Sequence, residues 1–152
     1  MASTVRVDRE WTDATCPVAR TVDLVGDRWS LLIVRDAMDG PASFTELRQR
    51  LGIARNILAD RLRRLVDEGI LGTSATASGK RYVYELTPAG QDLFTVVVAL
   101  RQWGESHAFA EDEPRSTLVD RDGRPLAELR PRNRAGAVVT AATTEVRRVD
   151  CG

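Results

Sequence analysis

Sulfur and imidazole are nearly missing from this chain of 152 residues, which holds two cysteines, Cys16 and Cys151, and one histidine, His107. A four-ligand zinc site or a disulfide framework needs more of both, so neither is expected, and metal-dependent catalysis is set aside with them. Aromatic residues make up only 5%. No stretch of about 18 uncharged apolar residues occurs. Met1 to Glu10 carries Arg6, Asp8, Arg9 and Glu10 where a signal peptide would be apolar. A cytoplasmic protein without membrane contact is the expectation. Lysine is scarce too: Lys80 is the single lysine among 22 basic residues, a skew that reads as codon bias.

No charge sign is in excess, since 22 basic residues balance 22 acidic ones. Their placement is uneven: residues 41 to 81 hold 8 basic and 4 acidic residues and form the one net basic block. With 43% hydrophobic residues the chain can bury a core, and one domain with appendages is expected.

Cys16-Pro17 reads as an N-cap followed by proline at the first helical position, and Val18, Val22 and Val25 then share one face. Gly26 ends that helix. Asp27 caps a second, mostly buried one through Trp29, Leu32, Ile33 and Ala37, stopped by Asp39-Gly40-Pro41. Ser43-Phe44-Thr45-Glu46 offers a capping box for a short helix ending at Gly52. From 54 to 68, Ile57, Leu58, Leu62, Leu65 and Val66 recur at helical spacing, with Arg55, Asn56, Asp60, Arg63, Arg64 and Asp67 off that stripe. A short helix, a tight turn and a longer polar-faced helix make a helix-turn-helix. Residues 70–75 and 81–86 read as two strands around a hairpin loop, the wing. Thr87-Pro88 starts one long, broadly apolar helix through Leu93, Phe94, Val96, Val97, Leu100, Trp103 and His107, which calls for a partner. The expected fold is mainly α with a β-hairpin wing. The domains are an N-terminal arm (1–15), a winged helix-turn-helix with dimerisation helices (16–109), and a linker with a small β-rich C-terminal appendage (110–152). Sequence shows no convincing internal repeat.

Cys16-Pro17-Val18-Ala19, the block from Gly26 to Asp36, Phe44-Thr45-Glu46-Leu47, Arg61-Leu62-Arg63-Arg64-Leu65 with Gly69-Ile70-Leu71, and the block from Tyr84 to Gly90 occur in order. Together, over about residues 16 to 107, they resemble the HxlR-type transcriptional regulators. The resemblance implies a homodimeric winged helix-turn-helix DNA-binding protein related to the MarR-type fold, with terminal helices at the dimer interface. It implies nothing for residues 110 to 152.

A helix of four turns or so fits the major groove, where Arg reads guanine and Asn reads adenine. Arg55, Asn56 and Ala59 are the candidate base-edge residues. Asp60 either accepts from a cytosine amino group or orients a neighbouring arginine; Arg63 and Arg64 suit phosphate. At the wing tip Ser78, Lys80 and Arg81, turned by Gly79, can reach phosphate or the minor groove. Thr45 and Arg48, at the start of the preceding helix, suit backbone positioning. Each of these also has a plainer reading as cap, turn or solvated face. Cys16, at a helix N-cap, faces unpaired amides and the positive end of the dipole. The resemblance implies a sensor of electrophiles or thiol stress there; packing is the alternative. Trp29, Phe94 and Trp103 could line an effector pocket or form core. His107 reads as packing, and Cys151 as an exposed bystander.

These features point to a DNA-binding regulator on a pseudo-palindromic operator, a repressor responsive to a small molecule or thiol-reactive stress, with no cofactor. The alternative is a winged-helix interaction module whose appendage binds a partner. An enzyme using Cys16 would lack a neighbouring base.

Overall fold

The computed structural model describes residues 9–149, and the chain divides into two compact units, the first reaching Val97 and the second starting at Val98. In the first unit, helix α1 (Pro17–Val25) and helix α2 (Arg28–Ala37) start at the caps read from sequence. Cys16 Sγ accepts from the Ala19 amide at 3.4 Å, and Asp27 Oδ2 from the Ser30 amide at 3.0 Å. Strand β1 (Ala42–Ser43) leads into α3 (Phe44–Leu51), whose capping box is complete: the Glu46 amide donates to Ser43 Oγ and the Ser43 amide to Glu46 Oε2. Gly52, at φ 61°, turns the chain left-handed toward α4 (Arg55–Asp67), where a Cβ would be strained.

Strands β2 (Leu71–Ala75) and β3 (Tyr82–Leu86) form the wing hairpin. The sheet order is β1-β3-β2, all antiparallel, with Ala42 opposite Tyr84 and Thr73 opposite Tyr84 on the other side. Beneath it, Ile33, Val34, Leu47, Leu58, Leu62, Leu65 and Leu71 are almost fully buried, so α2, α3, α4 and the sheet root share one core. The stripe read on α4 is the one buried. On α2 the buried positions are Ser30, Ile33, Val34, Asp36 and Ala37, while Trp29 and Leu32 lie half-buried at its edge. Arg50 reaches Asp36 at 3.2 Å and ties α3 to α2. The N-terminal arm, as far as described, is stitched down: Arg9 pairs with Glu68 and donates to the Asp23 carbonyl. Thr12 donates its amide and hydroxyl to the Asp23 carboxylate, holding that group below the usual carboxylate range.

The single long helix expected from Thr87 onward is instead two, α5 (Pro88–Gln91) and α6 (Phe94–His107). The cause is tertiary. Thr87 donates its amide to the Ile70 carbonyl at 3.0 Å and its hydroxyl to the neighbouring Gly69 carbonyl at 2.6 Å, and a Cβ on Gly90 would lie 2.2 Å from the Ile70 oxygen. Gly90 also supports helix poorly. At Leu93 the hydrogen bond tightens to the Gly90 carbonyl, three residues back, before α6 resumes.

The second unit corrects two expectations. Among its described residues the alternating runs form no extended strands; pairing there is limited to two isolated bridges, Val119 with Pro125 and Arg132 with Val138, plus a short 3₁₀ turn at Ala141–Thr143. A repeat is also present, in conformation. Asp120 accepts from the Asp122 and Arg124 amides, and thirteen residues later Asn133 accepts from the Ala135 and Ala137 amides, all at 2.9–3.0 Å. Gly123 (φ 80°) and Gly136 (φ 86°) occupy the same place in each turn. The glycines and the Asx caps make the turns, and the flanking residues are too exposed to hold a ladder.

Candidate nucleic-acid interface

Arg55, Thr45 and Arg48, on two different helices, come together around one open cleft of about 420 Å³ between α3 and α4, lined also by Phe44, Gln49, Gly52 and Ile53. The turn at Gly52 brings them there by setting the start of α4 beside the first turn of α3. Ala54 at the α4 N-cap contributes no side-chain hydrogen bond, so the first amides of α4 are left for another acceptor. The Arg55 guanidinium lies 5.4 Å from the Phe44 ring centroid, a platform that restricts its rotamers. Phe44 and Gln49 escaped the sequence reading. For Gln49 the available signal was its spacing of one helical turn from Thr45.

Further along α4, Asn56, Ala59, Arg63 and Arg64 are exposed. Asp60 is held from both sides, by Arg61 and by Arg63, each at 2.7 Å. That geometry favours Asp60 as an organiser of arginines over a direct acceptor from a base. Arg61 continues the chain of charges: its Nε lies 2.9 Å from Asp27 Oδ2. Burial pushes the Asp27 carboxyl up, but hydrogen bonds from Ser30 and the Arg61 guanidinium outweigh it and hold the group below the usual range. The N-cap of α2 and the middle of α4 are thus joined by an ion pair spanning 34 residues of sequence.

At the wing tip Ser78, Gly79, Lys80 and Arg81 are all exposed. The Thr76 amide donates to the Arg81 carbonyl at 2.8 Å, and Gly79 at φ 66° makes the turn. The tip and the α3–α4 cleft belong to the same compact unit.

Cys16 is half-buried at the α1 N-cap; Cys151 lies outside the described residues. Trp29 packs against the core with Arg28 over its ring at 4.5 Å. Phe94 and Trp103 are exposed on α6, and the Trp103 ring lies 4.9 Å from that of His107. Among the described residues, no helix is long and apolar enough to cross a membrane.

Known proteins share this architecture. The sequence profile of the HxlR-like helix-turn-helix family matches residues 24–112. The HTH-type transcriptional regulator Rv3095 of Mycobacterium tuberculosis is 45% identical over 91 residues, covering 59% of this chain and 58% of its own. This chain therefore spans little more than half the length of that relative. Among solved structures, PA1607, described as a candidate transcription factor, is 47% identical with a TM-score of 0.85, over 90% of this chain and 97% of its own. The reduced form of the redox regulator HypR is 29% identical with a TM-score of 0.57, over 61% of this chain and 94% of its own. The matched profile runs from the end of α1 past the end of α6, taking in the cleft, the wing and every core helix, and the chain belongs to the HxlR-like helix-turn-helix family.

Proposed function

We propose that this protein is a sequence-specific DNA-binding transcriptional regulator. The observation that carries the reading is the convergence of Thr45, Arg48 and Arg55 on one cleft at the start of an exposed helix face. That helix, α4, is thirteen residues, or about 20 Å, long, enough to lie in a major groove. Arg55, Asn56 and Ala59 read base edges from its first turns. Thr45, Arg48, Arg63 and Arg64 position the backbone, and Ser78, Lys80 and Arg81 contact it from the wing. The protein acts as a homodimer on a pseudo-palindromic operator, one α4 per half-site. In support, α1 leaves Val18 and Val22 exposed and α6 leaves Phe94, Val96, Leu100 and Trp103 exposed, a need for cover that a second copy meets.

The regulator works as a repressor released when Cys16 is modified. The half-buried thiol at the α1 N-cap, in a chain similar to a redox regulator, supports this. The test is binding to DNA upstream of its own gene at fixed salt with nonspecific competitor, before and after a thiol oxidant. Selective binding that the oxidant abolishes, and that Cys16→Ser makes oxidant-resistant, is expected. An oxidant-insensitive complex removes the thiol step and leaves a noncovalent effector; absence of selective binding to any operator-length DNA removes the regulator.

A further inference from the structure

Arg63 stands on the outer face of α4 with its side chain 70% exposed, yet it is not free to sweep that surface. Its Nη2 donates to Asp60 Oδ1 at 2.7 Å, and the other oxygen of the same carboxylate, Oδ2, accepts from Arg61 Nη1 at 2.7 Å. Arg61 in turn donates its Nε to Asp27 Oδ2 at 2.9 Å, and that oxygen also caps the buried Ser30 amide at 3.0 Å. Within α4, Arg61 is the one residue among those described whose side chain hydrogen-bonds a side chain on another element. A line of four charges, Asp27, Arg61, Asp60 and Arg63, therefore runs from the fixed N-cap of α2 out to the face of α4. Ion pairs as exposed as these contribute little to stability. Their geometry fixes where the last guanidinium sits.

We propose that Arg61 is a positioning residue for DNA reading: by bridging Asp27 and Asp60 with one guanidinium it sets the place from which Arg63 meets the DNA backbone. The inference rests on the DNA-binding function proposed above and adds to it a half-buried residue that is engaged with two carboxylates. Phosphate contacts carry no sequence information themselves but fix the register of a protein on the duplex. An Arg63 held at one point sets the depth at which Arg55, Asn56 and Ala59 meet base edges, and it loses little rotamer freedom when a phosphate arrives. Only arginine can serve at position 61. Its planar fork sends Nε and Nη1 to two carboxylates at once, whereas lysine offers a single nitrogen at the end of a flexible stem. Arg61→Lys therefore breaks the bridge and leaves the charge of the α4 face unchanged, which a change at Asp60 does not.

The test uses the full chain, a duplex that the wild-type protein selects from a randomised pool, and poly(dI-dC) as nonspecific DNA. Arg61→Lys is expected to lower the ratio of selected to nonspecific affinity about three- to tenfold, with the salt slope unchanged because no phosphate contact is removed. Asp27→Asn keeps the cap of α2 and weakens the inner anchor; it is expected to lower the ratio in the same direction, and it decides the matter if Arg61→Lys does not fold. The comparison that isolates positioning is the Arg63→Ala background. There Arg61→Lys is expected to change the ratio less than twofold, because its effect runs through Arg63; a residue that only stabilised the fold would act alike in both backgrounds. Ratios within twofold of wild type for Arg61→Lys and Asp27→Asn, or an Arg61→Lys loss repeated in full without Arg63, overturn the inference and leave DNA recognition standing. A wild-type chain that selects no duplex from the pool overturns the proposed function and this inference with it.

Discussion

Replacing Asp27 separates two contributions that meet on one carboxylate. Its Oδ2 accepts from the Ser30 amide at 3.0 Å and pairs with Arg61 Nε at 2.9 Å. Asp27→Ala removes both. Losing an N-cap costs about 1 kcal/mol, and an ion pair whose side chains are 25% and 33% exposed adds about 0.5–1 kcal/mol. The total is about 1.5–2 kcal/mol, which lowers the midpoint of thermal unfolding by about 5–9 °C for a cooperative unit of roughly 90 to 150 residues. Asp27→Asn keeps a good cap but no charge, so it is expected to cost only about 0.5–1 kcal/mol. The assay is urea unfolding by circular dichroism at one fixed protein concentration, because self-association shifts the midpoint. Since folding lowers the Asp27 pKa, the advantage of wild type over Asp27→Ala is full well above the ordinary value of 3.8. It fades as the pH falls through that value and the lower folded one. An Asp27→Asn protein as unstable as Asp27→Ala at pH 7, or a gap that widens on acidification, refutes the reasoning.

Other outcomes follow from the same geometry. Arg55→Ala is expected to relax base preference at one operator position by about 1–3 kcal/mol, whereas Lys80→Ala weakens all sequences alike and lowers the salt slope by about one; equal small effects of both in a competition binding assay would refute the assignment. Asp60→Asn frees Arg63 and removes a negative charge from the α4 face, so DNA affinity rises several-fold at low salt and the gain shrinks at high salt; titrations at two ionic strengths decide it. Gly90→Ala places a Cβ 2.2 Å from the Ile70 carbonyl oxygen and costs about 1–3 kcal/mol, read from a shifted urea midpoint.

Local chemistry was legible and distant pairing was not. The caps at Cys16, Asp27 and Ser43 sit within three residues of the amides they satisfy, so short motifs announce them. The α4 stripe was equally plain, because Leu58, Leu62 and Leu65 carry both the period and the burial. Strand β1 is two residues long and meets Val83 and Tyr84 some forty positions away, too short for any alternation to show. The link from Asp27 to Arg61 has the same character: each residue had a local reading, and only the fold joins them. In the tail, alternation between apolar and polar residues looked like strands. The stronger signal was Asp120-Arg121-x-Gly123 followed by Asn133-Arg134-x-Gly136, an Asx cap and a glycine in the same places twice.

The junction at Thr87 and Gly90 divides the wing into parts of very different tolerance. At the tip, residues 76–81 are mostly exposed and held by local turn bonds, so insertions or a tag there leave the strand register intact. At the root, Thr87 holds the Gly69 carbonyl with its hydroxyl and the Ile70 carbonyl with its amide, and Gly90 sits against the Ile70 oxygen with no space to spare. One residue inserted between Glu85 and Gly90 would exchange the faces of the strand end and separate α5 from its anchor. A change in wing length is therefore expected to be tolerated at the tip, where it alters the reach of the hairpin without disturbing the helices behind it.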